Sequence, residues 1–524
     1  NKGRRSVEGN ISVRATDFDF DKFRLRTFVD KLIEIGEVDV HEGPVSLLDV
    51  SRIIEDSPRA SLFKKAGPEQ VELVGAVSGS RSRLAAALGV DSRDIAREYA
   101  GRMEQPQPVV EVASSDAPVH QRVLKGDDVD LTRLPFHLQH EFDGGAYLTS
   151  GIDYVIDPAT GKPNTGCRRL MLRSRDTMQA NLTQPSDLRN IYVGCVERGE
   201  RLPCSYVVGS HPLDFLAAGL RLPVDEFGLV ASLRGAPVPM VKGLTNGVPV
   251  PADAELVIEG YFDAEGYREI EGPYGEFNGY YGAPHIDPVF HATAITMRED
   301  ALHQTMLHAG RMLSRTDSGN LGAINTETAV WRTLRGAHIE PSAVRSMPSA
   351  NGRQHIRVAI PRSATGQARR VMSALFTIPY IKHVFVVDDD IDVFSDEAVE
   401  WAMATRFRAD RDMFVESGFP AFYMEPEISD EGTMTKAGFD LTLPYGKADT
   451  VDNWIAVAPV LEPKARFQTV RQALESGPMF FSQLVDSLGS DDGREISVEL
   501  HALREEGVLT RLDNGEWALQ TIDR

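Results

Sequence analysis

Apolar positions near the start of the chain recur first at helical and then at strand spacing. Phe23, Leu25, Phe28, Val29, Leu32 and Ile35 predict an amphipathic helix, and residues 73–77 an apolar strand, so the opening segment reads as α/β. Pro106 and Pro108 then favour an extended path, which predicts a linker and a domain boundary between residues 105 and 120. From about 145 to 300, short β-rich runs (147–155, 192–196, 206–208, 256–258 and 291–295) alternate with Gly, Pro and Asp turns. That is the pattern of an antiparallel barrel or sandwich. Strand-like runs at 356–360 and 384–387 alternate with helical patterns at 366–375 and 398–406, a βαβ cadence. Beyond residue 465 come three helices (467–474, 480–488, 496–506) and a hairpin of 508–511 with 516–519 around Asn514-Gly515, the order of a winged helix.

The chain has 524 residues, 42% hydrophobic and 25% charged, with 30 prolines, which suits several ordinary globular domains and excludes disorder, collagen and coiled coil. The expected division is an N-terminal α/β domain over 1–115, a β-rich body over 116–315, an α/β domain over 316–460 and a winged-helix-like segment over 465–524. A net charge of −21 argues against general affinity for nucleic acid or anionic membranes, so an anionic ligand must find a local positive pocket. In the tail from Phe467 to Arg524, five arginines face eleven acids, which predicts a structural or protein-contact role rather than DNA binding. Cys167, Cys195 and Cys204 are too few and odd in number for a disulfide framework, and a reducing cytoplasm is expected. No apolar run approaches the ~20 residues of a membrane span. The start, Asn1-Lys2-Gly3-Arg4-Arg5, has no apolar signal core behind it and no initiator Met, so a short native segment is expected to precede it.

The densest motif is Glu271-Gly272-Pro273-Tyr274-Gly275-Glu276-Phe277-Asn278-Gly279-Tyr280-Tyr281-Gly282. Its glycines and proline demand a tight backbone path that presents two carboxylates, either as an acid/base pair or as solvated acids on a turn between strands. The second is Asn164-Thr165-Gly166-Cys167-Arg168-Arg169. If it is a strand, Arg168 and Arg169 point to opposite faces, so one of them serves a buried site and clamps a carboxylate, the alternative being a surface pair. The chain contains neither a P-loop nor a Gly-x-Gly-x-x-Gly fingerprint, and neither a Gly-x-Ser-x-Gly elbow nor a His-Glu-x-x-His zinc pattern.

In order and spacing these segments resemble the UbiD family of prenylated-FMN-dependent (de)carboxylases. The resemblance runs from about 130 to 445 and also takes in Leu134-Pro135-Phe136, the segments His140 to Gly145 and Val250 to Gly260, Lys382-His383-Val384, Asp388-Asp389-Asp390, and Gly432 to Asp440. It implies an α/β multidomain protein with a central antiparallel split β-barrel, flavin-reductase-like, that binds the cofactor. The third domain would close the pocket and assemble a homodimer or higher homo-oligomer. The implied activity is reversible non-oxidative decarboxylation of an aromatic or heteroaromatic acid, with phenazine-1-carboxylate as a polycyclic candidate. The reaction would pass through a covalent substrate–cofactor adduct, CO₂ loss and protonation by a Glu. The chemistry explains the cofactor: charge left on an sp² carbon by departing CO₂ lies orthogonal to the π system, so an electron sink is required.

By the resemblance, Arg169, Glu271 and Glu276 form the catalytic set, with Glu276 as proton donor and Arg169 orienting the substrate carboxylate or holding one Glu ionised. Asn164, Gly166, Cys167, Arg168, Arg169, Ser186, Asp187, Glu226 and Lys436 are the expected cofactor residues, Lys436 on the phosphate. Asn164, Asp187 and Glu226 are the expected metal ligands. Asp187 stands where the family has His, with Asn181 as the other candidate, and an all-oxygen set suits Mn²⁺ or Mg²⁺. K⁺ is a further expected ion, and a flavin prenyltransferase the expected cofactor supplier. The rival reading is an inactive decarboxylase-like regulator or scaffold that works through its winged helix.

Overall fold

The β-rich runs between 145 and 300 pair into a closed barrel in the computed structural model, which describes residues 18–520 apart from 223, 423, 445, 448 and 449. The opening Asn1 to Arg5 stretch lies outside the described residues. The barrel runs in the order Leu256–Phe262, Leu202–Val208, Tyr147–Ile156, Pro163–Leu172, Thr177–Ala180 and Val289–Met297, with Val289–Met297 returning to Leu256–Phe262. Every pairing is antiparallel, and closure leaves none of these strands with a free edge. Tyr206, Phe262 and Phe290 fill the interior, with ring centroids 5.0 and 5.4 Å apart. A bulge between Leu148 and Gly151 shifts the register against Pro163–Leu172, the strand that carries both arginines.

Two expectations need correcting. Residues 192–196 are not a strand but lie inside the helix Asp187–Arg198. Ser186 caps that helix by accepting from the Arg189 N–H at 3.2 Å, Gly199 ends it at φ 68°, and Leu188, Tyr192 and Cys195 share its buried face. The Pro-rich stretch is likewise no free linker, because Val109–Glu111 pairs in parallel with Val238–Lys242.

The N-terminal sheet orders Val38–Val45, Ala60–Ala66, Val71–Gly75 and His303–Thr305, so its last strand arrives from beyond the barrel. The helices Leu25–Glu34, Leu47–Asp56, Arg81–Leu88 and Ile95–Met103 accompany it. After the helix Asp317–Gly336, a five-stranded sheet follows in the order Ala343–Ser346, His355–Ile360, His383–Asp388, Thr433–Asp440 and Met413–Pro420. These regions form one compact unit. Residues 362–365 and 443 onward form a second. It contains the helices Val470–Glu475, Phe481–Leu488 and Arg494–Glu505, then the hairpin Leu509–Arg511 with Trp517–Leu519, around Leu484, Ile496, Leu500, Leu503 and Leu509. Among the described residues no helix is long and apolar enough to cross a membrane.

The helix Glu226–Arg234 positions one predicted site residue at its first turn. Asp225 caps it by accepting from the N–H groups of Phe227 and Gly228 at 3.1 and 3.2 Å. At the other end, the buried Arg234 pairs with Asp214 at 2.7 Å and Asp253 at 2.6 Å. Arg234→Met leaves both aspartates without that counter-charge and should cost about 3–5 kcal/mol, read as a lower urea midpoint. A loss under about 1 kcal/mol would show that the pairs contribute no more than exposed ones.

Candidate active site

The acidic motif folds as two short ribbons. Glu271 ends the strand Glu269–Glu271, which pairs with His285–Asp287, and Glu276 follows Tyr274–Gly275, which pairs with Tyr281–Gly282. The Glu276 N–H bonds the Tyr280 carbonyl at 2.8 Å and closes the turn between them. The floor beneath is the segment from His140 to Gly145. Asp143 accepts from the Gly275 N–H at 2.9 Å and from the His140 N–H at 2.8 Å. Contact there is too close for side chains: a Cβ on Gly144 would lie 2.0 Å from the Gly272 carbonyl oxygen, and one on Gly275 2.5 Å from His140 Nδ1. This packing joins the acidic motif to the floor segment.

Arg169 reaches both acids from its barrel strand. Nε and Nη2 donate to Glu271 at 3.0 and 3.1 Å, and Nη1 donates to Glu276 at 2.5 Å. All three side chains are buried. The Tyr274 ring lies 4.4 Å from the guanidinium carbon, and the Tyr147 hydroxyl donates to Glu271 at 2.8 Å. Burial works against both carboxylates. For Glu271, His285, Arg169 and Tyr147 overcome it and hold the group at about 2. For Glu276, burial prevails over Arg169, Glu271 adds to it, and the carboxyl is raised above its ordinary value. One acid is thus ionised while its neighbour can hold a proton, the division of labour that acid–base chemistry needs.

Glu276 and Gln184 border two cavities. One, of about 220 Å³, is lined by Arg168, Arg169, Arg353, Cys167, Ser186 and His308 among others, with Glu276 as its one acid. The other, of about 350 Å³, is lined by Tyr280, Tyr281, Met424, Asn278, Glu425 and His285 among others, with neither Lys nor Arg. Strand alternation predicted that one arginine serves a buried site, yet both border the same cavity. Arg168 turns towards Asp153 at 3.4 Å and Ser186 at 3.4 Å while donating to the Cys167 carbonyl. Gly166 keeps that turn clear, since a Cβ would sit 3.2 Å from Asp153 and 3.3 Å from Arg168.

The expected metal set is assembled in part. Asn164 donates to Glu226 at 2.8 Å, and the Thr165 N–H to the same oxygen at 2.6 Å. Burial raises Glu226 to about 7, with Asp187 and Asp153 adding to the effect. Asp187 lies within electrostatic reach but pairs with Arg221 at 2.8 Å, because the first turn of its helix points it towards solvent. Asn181, the other candidate, sits 3.5 Å from both Glu271 and His285. Among the described residues, the acid and imidazole atoms close enough to share an ion are those of Glu271, His285 and Asp287, where Arg169 already supplies positive charge. Lys436 is not brought to the site. Its ammonium is buried and donates to the carbonyls of Phe376, Ile378 and Pro379 at 2.9, 2.6 and 3.5 Å, and burial lowers it to about 8.

The sequence reading missed Tyr147, Tyr274, His285 and Arg353. Tyr274 and His285 had a signal, one inside the acidic motif and the other on the return strand opposite Glu271. Arg353 had none.

Comparison with known proteins fits this geometry. The 3-octaprenyl-4-hydroxybenzoate carboxy-lyase Rift-related domain of UbiD matches residues 110–311, and the C-terminal domain of the same carboxy-lyase matches 319–441. Anhydromevalonate phosphate decarboxylase of Methanosarcina mazei is 31% identical over 80% of this chain and 95% of its own. The UbiD-class enzyme HmfF from Pelotomaculum thermopropionicum, solved in complex with FMN, gives a TM-score of 0.77 at 30% identity over 83% of this chain and 97% of its own. An evolved dimeric form of it in complex with prFMN gives 0.74 at 30% identity over 84% of this chain and 97% of its own. Fold and site define a carboxy-lyase, an enzyme that works by decarboxylation. The chain belongs to the UbiD family.

The residues present suit the group those neighbours hold. Three guanidiniums border an anion-sized cavity, and Thr165 Oγ1, next to Asn164, is buried without a hydrogen-bond partner. A Cβ on Gly282 would lie 2.8 Å from Glu276 Oε1. Gly282→Ala should therefore displace that carboxylate from Arg169 and lower kcat by about 100-fold in a folded enzyme. Unchanged turnover would show that the close approach is dispensable.

Proposed function

We propose that this chain releases CO₂ from an aromatic or heteroaromatic carboxylic acid with prenylated FMN as cofactor, and that the acid carries no second anion. The observation that carries the reading is the buried Arg169, shared between an ionised and a protonatable carboxylate where an arginine-lined cavity meets one with neither Lys nor Arg among its described lining residues. When bound, the cofactor supplies the electron sink.

The chain's own residues supply the rest. Arg168, Arg169 and Arg353 bind anionic groups, and Arg169 orients the reacting carboxylate. Glu271, kept ionised, holds that guanidinium in place. Glu276 keeps a proton out of water and delivers it to the carbon that CO₂ vacates, and in the reverse direction it takes the proton back. Asn164 and Glu226, joined by Asp187, would hold a Mn²⁺ or Mg²⁺ ion at the cofactor phosphate. A flavin prenyltransferase supplies the cofactor, and the region 316–460 builds a homodimer or larger homo-oligomer in the cytoplasm.

The relatives named for anhydromevalonate phosphate act on a phosphorylated acid. Here the larger cavity places Glu276 and Glu425 along its wall, and Lys382, the nearest cation to Glu425, is already paired with it at 2.6 Å. Among its described lining residues there is neither Lys nor Arg to bind a phosphoryl group. Tyr280, Tyr281 and Met424 offer apolar surface to a flat ring, and Gln184 and Asn278 offer amides to its heteroatoms or hydroxyls.

Glu276→Gln should cut CO₂ release by at least about 100-fold while the bound flavin keeps its visible absorbance. An active Gln variant would refute the donor assignment. Across a panel of ring acids, phenazine-1-carboxylate included, neutral-tailed acids should be turned over and phosphorylated acids should not; a preference for the latter would overturn the substrate class.

A further inference from the structure

The ribbon that carries Glu271 places His285 opposite it in register, and Asp287 two residues further along the same strand. His285 Nδ1 lies 3.7 Å from Glu271 Oε2 and 3.7 Å from Asp287 Oδ2. Asp287 is fully buried. Its Oδ1 accepts from the Leu182 N–H at 2.7 Å and the Thr183 hydroxyl at 3.2 Å, but Oδ2 has no hydrogen-bond donor. A buried carboxylate oxygen left in that state is costly, and the imidazole edge facing it is the group placed to relieve it. Glu271 and Asp287 are closed off from solvent, whereas the His285 side chain keeps 26% exposure and borders the cavity beyond Glu276.

The balance of charge points the same way. Glu271 and Glu276 share the guanidinium of Arg169, and Asp287 sets a third carboxylate beside Glu271 and His285. If Arg169 were the whole counter-charge, Glu271 would draw it away from Glu276. An imidazolium against Glu271 and Asp287 supplies a second positive charge and lets Arg169 bridge both glutamates.

We propose that His285 is a positioning residue for decarboxylation: together with Asp287, it sets a positive charge against Glu271 Oε2 beside Arg169 and so keeps Arg169 shared with Glu276. The inference rests on the decarboxylase reading above. The groups facing the imidazole are Glu271 on the opposed strand, Asp287 on its own, Asn181 after the strand Thr177–Ala180, Arg169 on the barrel and Glu276 and Glu425 along the cavity. Glu271 and Asp287 raise its pKa, while burial and Arg169 oppose. In return, its charge lowers that of Glu276.

Two measurements test this, and one needs no turnover. In ¹³C-histidine spectra of the unliganded enzyme, the signal lost in His285→Gln should titrate above the ordinary midpoint of about 6.5. In Asp287→Asn it should return towards that value. In the flavin-loaded enzyme, His285→Gln should lower kcat between about 10- and 100-fold with KM within about threefold. Loss of the nearby cation should also move the alkaline limb of activity, where Glu276 deprotonates, to higher pH. Thermal midpoint and flavin content should match the parent, and the His285→Gln/Asp287→Asn double variant should lose no more kcat than His285→Gln alone. An ordinary titration midpoint, or a Gln variant with parental kcat and pH profile, overturns the proposal. If the parent releases CO₂ from no acid, the decarboxylase reading fails by itself, and the imidazole titration still decides the placement of His285.

Discussion

A single guanidinium serves two buried carboxylates, and its shape prevents it from serving them equally. Arg169 gives the edge formed by Nε and Nη2 to Glu271 and leaves only Nη1 for Glu276. The planar fork makes the first contact bidentate and the second monodentate, which a lysine could not do. The protonation states follow. Glu271 receives two donors from Arg169, one from Tyr147 and the influence of His285, enough to overcome burial, whereas Glu276 receives one and remains raised. The two carboxyls are driven apart by hydrogen-bond count rather than by residue type, and on the proposed reading that difference sets their roles.

Holding that arrangement dry requires a scaffold that resists the cost of burying charge, several kcal/mol per ion before pairing. The closed barrel fixes Arg169 on a strand paired on both sides. The two ribbons fix the acids, and their backbone rests on the His140 to Gly145 segment at distances only glycine permits. Tyr274 packs beneath the guanidinium, edge-on to His140 and against the Tyr147 ring at 4.6 Å. Barrel strand, floor segment and acidic loop thus meet through one tyrosine.

Much of this was legible because it is local. The β-rich runs marked four of the six barrel strands, leaving Pro163–Leu172 conditional and Thr177–Ala180 unmarked, and Phe23 to Ile35 gave the first helix to within two residues at each end. Glu271 and Glu276 stood out because tight backbone and ionisable groups coincide in their motif, whereas Arg169 was separated from Arg168 only by the family resemblance. Residues 192–196 were misread because aromatic and β-branched content outweighed two local signals, Ser186 and Gly199, that cap a helix. The placement of Asp187 and Lys436 was illegible for a different reason. The direction of Asp187 is set by a helix cap and by Arg221, 34 residues on, and the ammonium of Lys436 is claimed by carbonyls about 60 residues earlier. No local pattern encodes either.

The net charge of −21 and the cationic cavity are two sides of one design. Glu276 stands between the two cavities, with three arginines lining one and neither arginine nor lysine among the described lining residues of the other. On the proposed reading, a ring acid finds guanidiniums for its carboxylate in one cavity and none among the described lining residues of the other, so orientation is set by where the arginines lie. Loss of CO₂ removes the charge that Arg169 held. The neutral ring then has no electrostatic claim on the cationic side, and the amide- and tyrosine-lined side is the surface that suits it.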